Sequence, residues 1–259
     1  MKKILLALLL IFPLCISACS CDNFDFNTYE TAVKYYTNSI GIDYTLTKVK
    51  NVTDSGIEQH EEGSYKYTFT PNKKVIDFSS VIKSYEVEVK KGNPNSNPSN
   101  IIRFDRYYKN NNNTFYERDV TRDTRKKYAN TTYEDMYNSE SMYNISNLVP
   151  VFSDDGISNY KIVKHESKKG YSIATFEAAC PSYTECDENL KIKYTVTIDR
   201  DFYFNKIEFT TIKTIKEEVE ATETTEAQKA ILETTKYTYV FNNFNENVVI
   251  EFPLDLVNY

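Results

Sequence analysis

The sequence predicts an α+β fold that is mostly β: a curved, half-barrel-like antiparallel sheet with an N-terminal amphipathic helix and a second short helix. Three observations lead there. Much of the chain beyond residue 44 alternates apolar and polar residues with period two, which sets one strand face on a core and the other in water. Tyrosine (22) and phenylalanine (15) are abundant while glycine is scarce (6) and tryptophan absent, a composition that suits pleated, half-buried surfaces. Helical spacing is clear only once, ahead of the first strand, and a long antiparallel sheet curls because strand twist accumulates.

The elements follow in order. Tyr29, Ala32, Val33 and Tyr36 recur at the i, i+3, i+4, i+7 spacing of an amphipathic helix, with Asn27 or Thr28 as its cap and an end near residues 38–41. Tyr44, Leu46 and Val49 mark a first strand, and Tyr65, Tyr67 and Phe69 a second, stopped by Pro71-Asn72. Tyr85, Val87 and Val89 form a third. "GNPNSNPSN" (92–100) reads as an exposed connection. Ile102, Phe104, Arg106 and Tyr108 form the next strand, and Asn110 to Asn113 the tip of a hairpin into 114–120. Tyr133, Met136 and Tyr137 suggest the second helix, and Asp154-Asp155-Gly156 a turn. Strands resume at 160–165 and 171–177 around a Lys168-Lys169-Gly170 turn. Ile192, Tyr194, Val196 and Ile198 form the clearest ladder, which Asp199 to Asp201 turns into 204–215. The stretch 217–226 is acidic and threonine-rich and is expected to project. Tyr237, Tyr239 and Phe241 make the penultimate strand; Val248, Ile250 and Phe252 make the last, stopped by Pro253. No repeat of fixed period occurs.

Ahead of this domain stands a leader. Lys2 and Lys3 precede an almost purely aliphatic run, 4–14, interrupted only by Pro13. That run is about half of the ~20 apolar residues a spanning helix needs, so it reads as an export signal. An ordinary secretory cut before Cys19 would place Ile16 where a small residue belongs. Ile16-Ser17-Ala18-Cys19 instead resembles the lipobox of bacterial lipoproteins. The resemblance covers only about the first 20 residues, and it implies a diacylglyceryl thioether on Cys19. The division expected is 1–18 signal peptide, 19–26 lipidated tether and 27–259 a single β-rich extracytoplasmic domain. Two acyl chains give stable anchoring, at about 0.8 kcal/mol per buried methylene. Cys21 receives no role.

Losing residues 1–18 removes Lys2 and Lys3, leaving 29 of the 31 basic side chains against 37 acidic ones, a formal charge of −8. Such a surface repels phosphates and anionic headgroups, which argues against nucleic acid and leaves the lipid as the membrane attachment. Phosphate-cradling glycine loops, HExxH and GxSxG are all absent, so no enzyme and no cofactor is expected. The ending "YTYVFNNFNENVVIEFP" (237–253), preceded by "YTVTIDRDFYFNKIEF" (194–209), looks like the tail of LolA-like cell-envelope lipoprotein domains. That resemblance covers about a quarter of the chain. It implies an open half-barrel with a helix against the hollow, a place where some such domains carry acyl chains. The insertions 217–236 and 180–186 depart from it.

Candidate site residues are few. Cys180 and Cys186 flank "PSYTE" at an expected hairpin tip; in an exported protein they read as a disulfide of short ring, hence at the low end of about 2–4 kcal/mol. A metal pair would want about four ligands and neither histidine is near in sequence; a free thiol pair is the third reading. His60, in the polar "EQHEEG" stretch, is expected in a solvated hairpin loop, and His165 at a strand end beside Glu166; both read as surface histidines. Asp154-Asp155-Gly156 lacks the spaced ligands of a calcium loop, so no metal is expected. The inward tyrosines have two readings, ordinary core or the lining of an aromatic hollow. The function expected is a membrane-anchored extracytoplasmic lipoprotein holding a hydrophobic or lipid ligand on the curved sheet. The alternative is a cell-surface interaction or structural lipoprotein that contacts an envelope protein partner.

Overall fold

The computed structural model describes residues 26–72, 74–89, 97–136, 161–168, 170–179, 191–216 and 228–258. Helix α1 (Phe26–Asn38) comes first. The strands are β1 (Gly41–Val52), β2 (Ile57–Phe69), β3 (Val75–Glu88), β4 (Ser99–Lys109), β5 (Thr114–Asp119) and β6 (Thr124–Ala129). A one-turn helix, α2 (Tyr133–Met136), precedes β7 (Lys161–Lys168), β8 (Tyr171–Ala179), β9 (Lys191–Ile198), β10 (Phe204–Lys216) and β11 (Ile231–Phe244). The fold is α+β and mostly β, as the alternation predicts, and the sheet is curved like a half-barrel.

All eleven strands lie in one sheet, in the order β6-β5-β4-β3-β2-β1-β11-β10-β9-β8-β7. Two meanders therefore meet at the centre, where β1 pairs antiparallel with β11, Tyr44 opposite Phe241 and Leu46 opposite Tyr239. The edges β6 and β7 lie at opposite ends, so the sheet stays open. Register shifts interrupt the ladder beside Tyr44, Phe69, Lys206 and Lys216. Each shift adds local twist and bends its strand, which curls the sheet about one face.

That face is the core. Reading across the register, Phe176, Tyr194, Phe209, Tyr237 and Tyr239 on one wing share it with Tyr44, Tyr65, Tyr67, Phe78, Tyr108 and Phe115 on the other. Helix α1 lies against it because its apolar stripe, Tyr29, Ala32 and Tyr36, is fully covered. The Tyr29 ring meets Phe176 and Phe204 edge-on at 5.6 and 5.9 Å, and Tyr36 meets Phe241 at 5.6 Å. The helix starts at Phe26, which places Asn27 and Thr28, the expected caps, inside its first turn. At its other end Ser39 Oγ donates to the Tyr35 carbonyl at 2.6 Å, satisfying one of the orphan acceptors of the last turn. Helix α2 starts from a reciprocal cap: Thr132 N donates to Asp135 Oδ2 (2.8 Å) and Asp135 N to Thr132 Oγ1 (3.1 Å). The Thr132 hydroxyl, more than its backbone, holds the Asp135 carboxyl below the usual carboxylate range. The cap delivers Tyr133 into the core against Phe78 and Tyr108.

Three expectations are corrected. Val248 to Phe252 is not a strand: β11 already has β1 and β10 on its two sides, so a strand following it at the sheet centre has no free edge to join. Asn245, at φ 56°, turns the chain out of the ladder instead. The chain then straps the convex face outward. Val249 O accepts from Lys66 Nζ, the Phe252 ring lies under Lys109 Nζ (4.1 Å), Leu256 is buried against Tyr107 and Tyr116, and Asp255 pairs with Arg125 at 3.0 Å. Second, β6 is a strand the sequence did not announce, since "TRKKYA" carries too few apolar residues to show a period. Third, His60 lies inside β2, which starts at Ile57 and not at the tyrosine ladder. The first half of β2 is polar on both sides, so it reads as a loop.

Gly41 is where the strap leaves the sheet. A Cβ there would stand 2.5 Å from the Asn245 carbonyl oxygen and 3.0 Å from Val248 Cβ. Gly41→Ala is expected to lower stability by about 1–3 kcal/mol, read as a lower urea midpoint at unchanged slope.

Candidate functional site

The concave face changes character along the strands. Around Tyr44 it is filled by the chain's own rings: Tyr44 stacks on Tyr65 (5.1 Å) and Tyr67 on Phe69 (5.8 Å), with α1 above the β8–β11 wing. One row further, Leu46 stands opposite Gly63, Gly63 opposite Ile82, and Ile82 opposite Phe104. The Tyr65 ring leans over the bare Gly63, since a Cβ there would be 2.3 Å from it. The next row is Lys48, Glu61, Ser84 and Ile102, and Ile102 is more than a third exposed. Here the face opens into a cavity of about 280 Å³ lined by Lys48, Lys50, Gln59, Glu61, Glu86 and Ile102, and bordered also by His60 and Tyr85. Lys50 pairs with Glu233, whereas Lys48 has the Tyr237 ring beneath its ammonium, at 5.8 Å.

The filled part holds a cluster of tyrosine hydroxyls. Tyr133 OH donates to Tyr67 OH at 3.3 Å. Among the described residues, Tyr36 OH, Tyr44 OH and Ser80 Oγ are buried without a hydrogen-bond partner. Ser80 faces the same hollow, opposite Tyr65 on one side and Arg106 on the other, and Arg106 Nε reaches Glu117 Oε2 at 2.8 Å. Burial raises the phenol pKa of Tyr36 well above 10, and the neighbouring Tyr67 and Tyr239 add to it. Burial does the same to Tyr44, reinforced by Tyr67, Tyr36, Tyr65 and Tyr239. These groups therefore stay neutral donors and acceptors. Each unpartnered buried hydroxyl carries a desolvation cost of about 1–3 kcal/mol.

The expected site residues fare differently. Cys19, Cys180 and Cys186 lie outside the described residues, as do Cys21 and the Asp154-Asp155-Gly156 turn. His165 is in the edge strand β7. His60 is on the convex face, its ring stacked on Tyr85 at 4.9 Å and its Nε2 3.3 Å from the Glu58 carboxylate without hydrogen-bond alignment. Tyr85 OH donates to Glu62 at 2.7 Å; that bond, with burial second, pushes its pKa up to about 12. Among the described residues, no three His, Cys, Asp or Glu side chains stand close enough to hold a metal ion, and no helix is long and apolar enough to cross a membrane. The sequence marked the inward tyrosines and set Arg106 in the Ile102–Tyr108 ladder, but assigned no role to Arg106 or Ser80. Those are small and charged residues at inward positions of otherwise apolar ladders, and that break in the alternation is the signal that could have found them.

No protein-family model matches the sequence, and no curated protein sequence matches it. Among solved structures the chain is similar to a DUF1329 family protein from Desulfovibrio piger, at 9% identity over 87% of this chain and 94% of that one, with a TM-score of 0.30. It is also similar to a domain described as an outer membrane lipoprotein-sorting protein from Vibrio parahaemolyticus, at 11% identity over 85% and 93%, with a TM-score of 0.27. Overlaps this loose transfer no residue and no activity, so the functional reading rests on the geometry above.

The raised phenol pKa values fix a pH dependence. Unfolded tyrosine ionises near pH 10, while Tyr36 and Tyr44 stay protonated when folded. Above pH 10 the unfolded state has lost protons the folded state keeps, so stability is fully present below pH 10 and falls as pH rises beyond it. Thermal midpoints from pH 7 to 11.5 are expected to show this fall, and to show it less steeply in Tyr44→Phe. At pH 7, Tyr44→Phe should leave stability unchanged or raise it by up to about 1 kcal/mol, because no hydrogen bond is lost.

Proposed function

We propose that this chain is an extracytoplasmic binding protein, held at a membrane by a diacylglyceryl group on Cys19, that carries an apolar molecule with a polar end on its concave face. The observation that carries this reading is the set of buried hydroxyls without partners, Tyr36, Tyr44 and Ser80, facing the hollow of an open sheet. Proteins rarely bury polar groups unsatisfied, and a bound polar atom relieves the cost. Next to them, Ile82, Phe104 and the partly exposed Ile102 form an apolar floor that runs toward the 280 Å³ cavity. Tyr44 and Lys48 are four residues apart on one strand face, about 13 Å. The floor is apolar and the cavity it runs into is ringed by polar side chains, Lys48, Lys50, Gln59, Glu61 and Glu86, a division that suits an apolar body with a polar end. No nucleophile with a base beside it stands among these groups, and the reading is one of binding.

Two measurements test it. Full-length protein extracted from membranes in mild detergent should show a co-purified lipid or other amphiphile by native mass spectrometry. Tyr44→Phe should weaken its retention about tenfold while the fold stays intact, matching the loss of one buried hydrogen bond of about 1.5 kcal/mol. Protein that extracts bare at all detergent concentrations would sink the carrier reading. Separately, a palmitate analogue fed to cells should label the wild-type chain and leave Cys19→Ala unlabelled and released from the membrane.

A further inference from the structure

A second site lies at the other end of the sheet, where the β9–β10 turn, the end of α1 and the end of β11 converge. There a hollow of about 670 Å³ is lined by Ile40, Asp199, Tyr203, Phe204, the run from Phe241 to Asn245, and Asn205 and Asn247. Its chemistry is unlike the rest of this acidic molecule, because it is rich in side-chain amides and nearly uncharged. Asp199 is the one ionisable carboxylate in the lining, and its Oδ1 already accepts from the backbone N–H groups of Asp201 and Tyr203, both at 2.9 Å.

The amides are partly engaged in a way that fixes them. Asn242 Nδ2 and Asn243 Nδ2 donate to the two oxygens of Asp43, at 3.1 and 3.5 Å. Asn245 accepts from Ile40 N and donates to Tyr203 OH, each at 3.1 Å. Among the described residues, the carbonyl oxygens of Asn242 and Asn243 and the whole amides of Asn205 and Asn247 remain for another molecule. An amide offers both donors and acceptors and carries no charge.

Aromatic rings stand beside these amides. Tyr203 stacks on Phe244 at 4.8 Å, and Tyr35 packs against Tyr203 at 5.4 Å and Phe202 at 6.3 Å. Tyr35 and Phe202 are 42% and 39% exposed and do not line the hollow themselves; they stand beside it as two solvent-facing rings, Tyr35 against the lining residue Tyr203. Phe202 also holds a φ of 64°, a left-handed conformation that a bulky side chain adopts at a cost of about 1–3 kcal/mol. The fold keeps an aromatic ring exposed on a strained backbone where glycine or asparagine would be easier.

We propose that this end of the sheet is a binding site for a neutral oligosaccharide. A pyranose ring has a C–H face that lies flat on aromatic rings. Its hydroxyls each donate and accept, matching amide side chains, and it needs no counter-charge. A phosphate or carboxylate ligand would want cations, and none lines this hollow. The site shares no lining residue with the cavity beside Lys48, so its success or failure is distinguishable from that of the carrier reading.

Isothermal titration of the detergent-solubilised full-length protein with two probes, N-acetylglucosamine tetramer and maltotetraose, tests it. At least one should bind saturably with a Kd between about 10 μM and 1 mM. Phe202→Ala and Asn205→Ala should each weaken that binding about tenfold or more with the thermal midpoint preserved or, for Phe202→Gly, raised. Tyr44→Phe should leave it unchanged. Absence of binding by both tetramers at 10 mM overturns the proposal, and so does binding that survives both Phe202→Ala and Asn205→Ala.

Discussion

The pairing of β1 with β11 is the constraint on which the rest of the molecule depends. It brings together residues about two hundred positions apart, Tyr44 with Phe241 and Lys48 with Tyr237, and it turns two separate meanders into one sheet. Every other ladder joins sequence neighbours. Without this junction each meander is a sheet of five or six strands with one bare apolar face and no means of covering it. With it, α1 lies across the seam, and Tyr36 touches Phe204 of one wing and Phe241 of the seam strand at once. Closing so long a loop costs only slightly more entropy than closing a moderate one, since the cost grows with the logarithm of its length. The pairing is slow to find, because long-range contacts contribute only after closure.

The same junction explains both ends of the chain's path over the sheet. Because β1 and β11 occupy the centre, the residues after β11 emerge in the middle of a finished sheet, not at an edge. They can only leave its plane. Asn245 provides the turn, and the outgoing strap then covers the convex face of β2, β4, β5 and β6, shielding Tyr107 and Tyr116. The segment's period-two pattern, Val248, Ile250 and Phe252, is thus the signature of an extended chain lying on a sheet. A strand within the sheet would show the same pattern.

Much of this was legible in the residues. Tyr237, Tyr239 and Phe241, and Ile192 to Ile198, alternate so strictly that face and strand are fixed by local pattern. The stripe Tyr29, Ala32, Tyr36 marks the one helix that needs a sheet to lie on. What could not be read was whatever depends on pairing partners. β6 and the first half of β2 are polar strands held by the ladders of their neighbours, so nothing local distinguishes them from loops. His60 was misplaced for that reason. The interior hydroxyls were visible as tyrosines. That Tyr44 lacks a partner while Tyr67 has Tyr133 depends on α2 returning over β2 from 66 residues away. Of the Asn205, Asn242, Asn243, Asn245 and Asn247 group, the first lies at the start of one strand and the rest around the end of another, so nothing local joins them and the residues alone assign them no role.

Aromatic rings, and tyrosine above all, are the material that fills the concave face, and their geometry explains why. A sheet of eleven strands with only one helix and one helical turn laid on it, among the described residues, has more apolar face than those helices can cover. Large flat rings fill that deficit, tilting and stacking on each other, as Tyr44 does on Tyr65 and Phe209 on Tyr237. Each phenol then brings a hydroxyl into the interior, and an aliphatic core would have avoided that. Where a second hydroxyl lies within reach, as for Tyr67 and Tyr133, the two satisfy each other. Where none does, as for Tyr36 and Tyr44, the polar atom is left over. The packing solution and the leftover hydroxyls are therefore one feature of the same curved sheet: the rings that cover its apolar face are also what carry polar atoms into it.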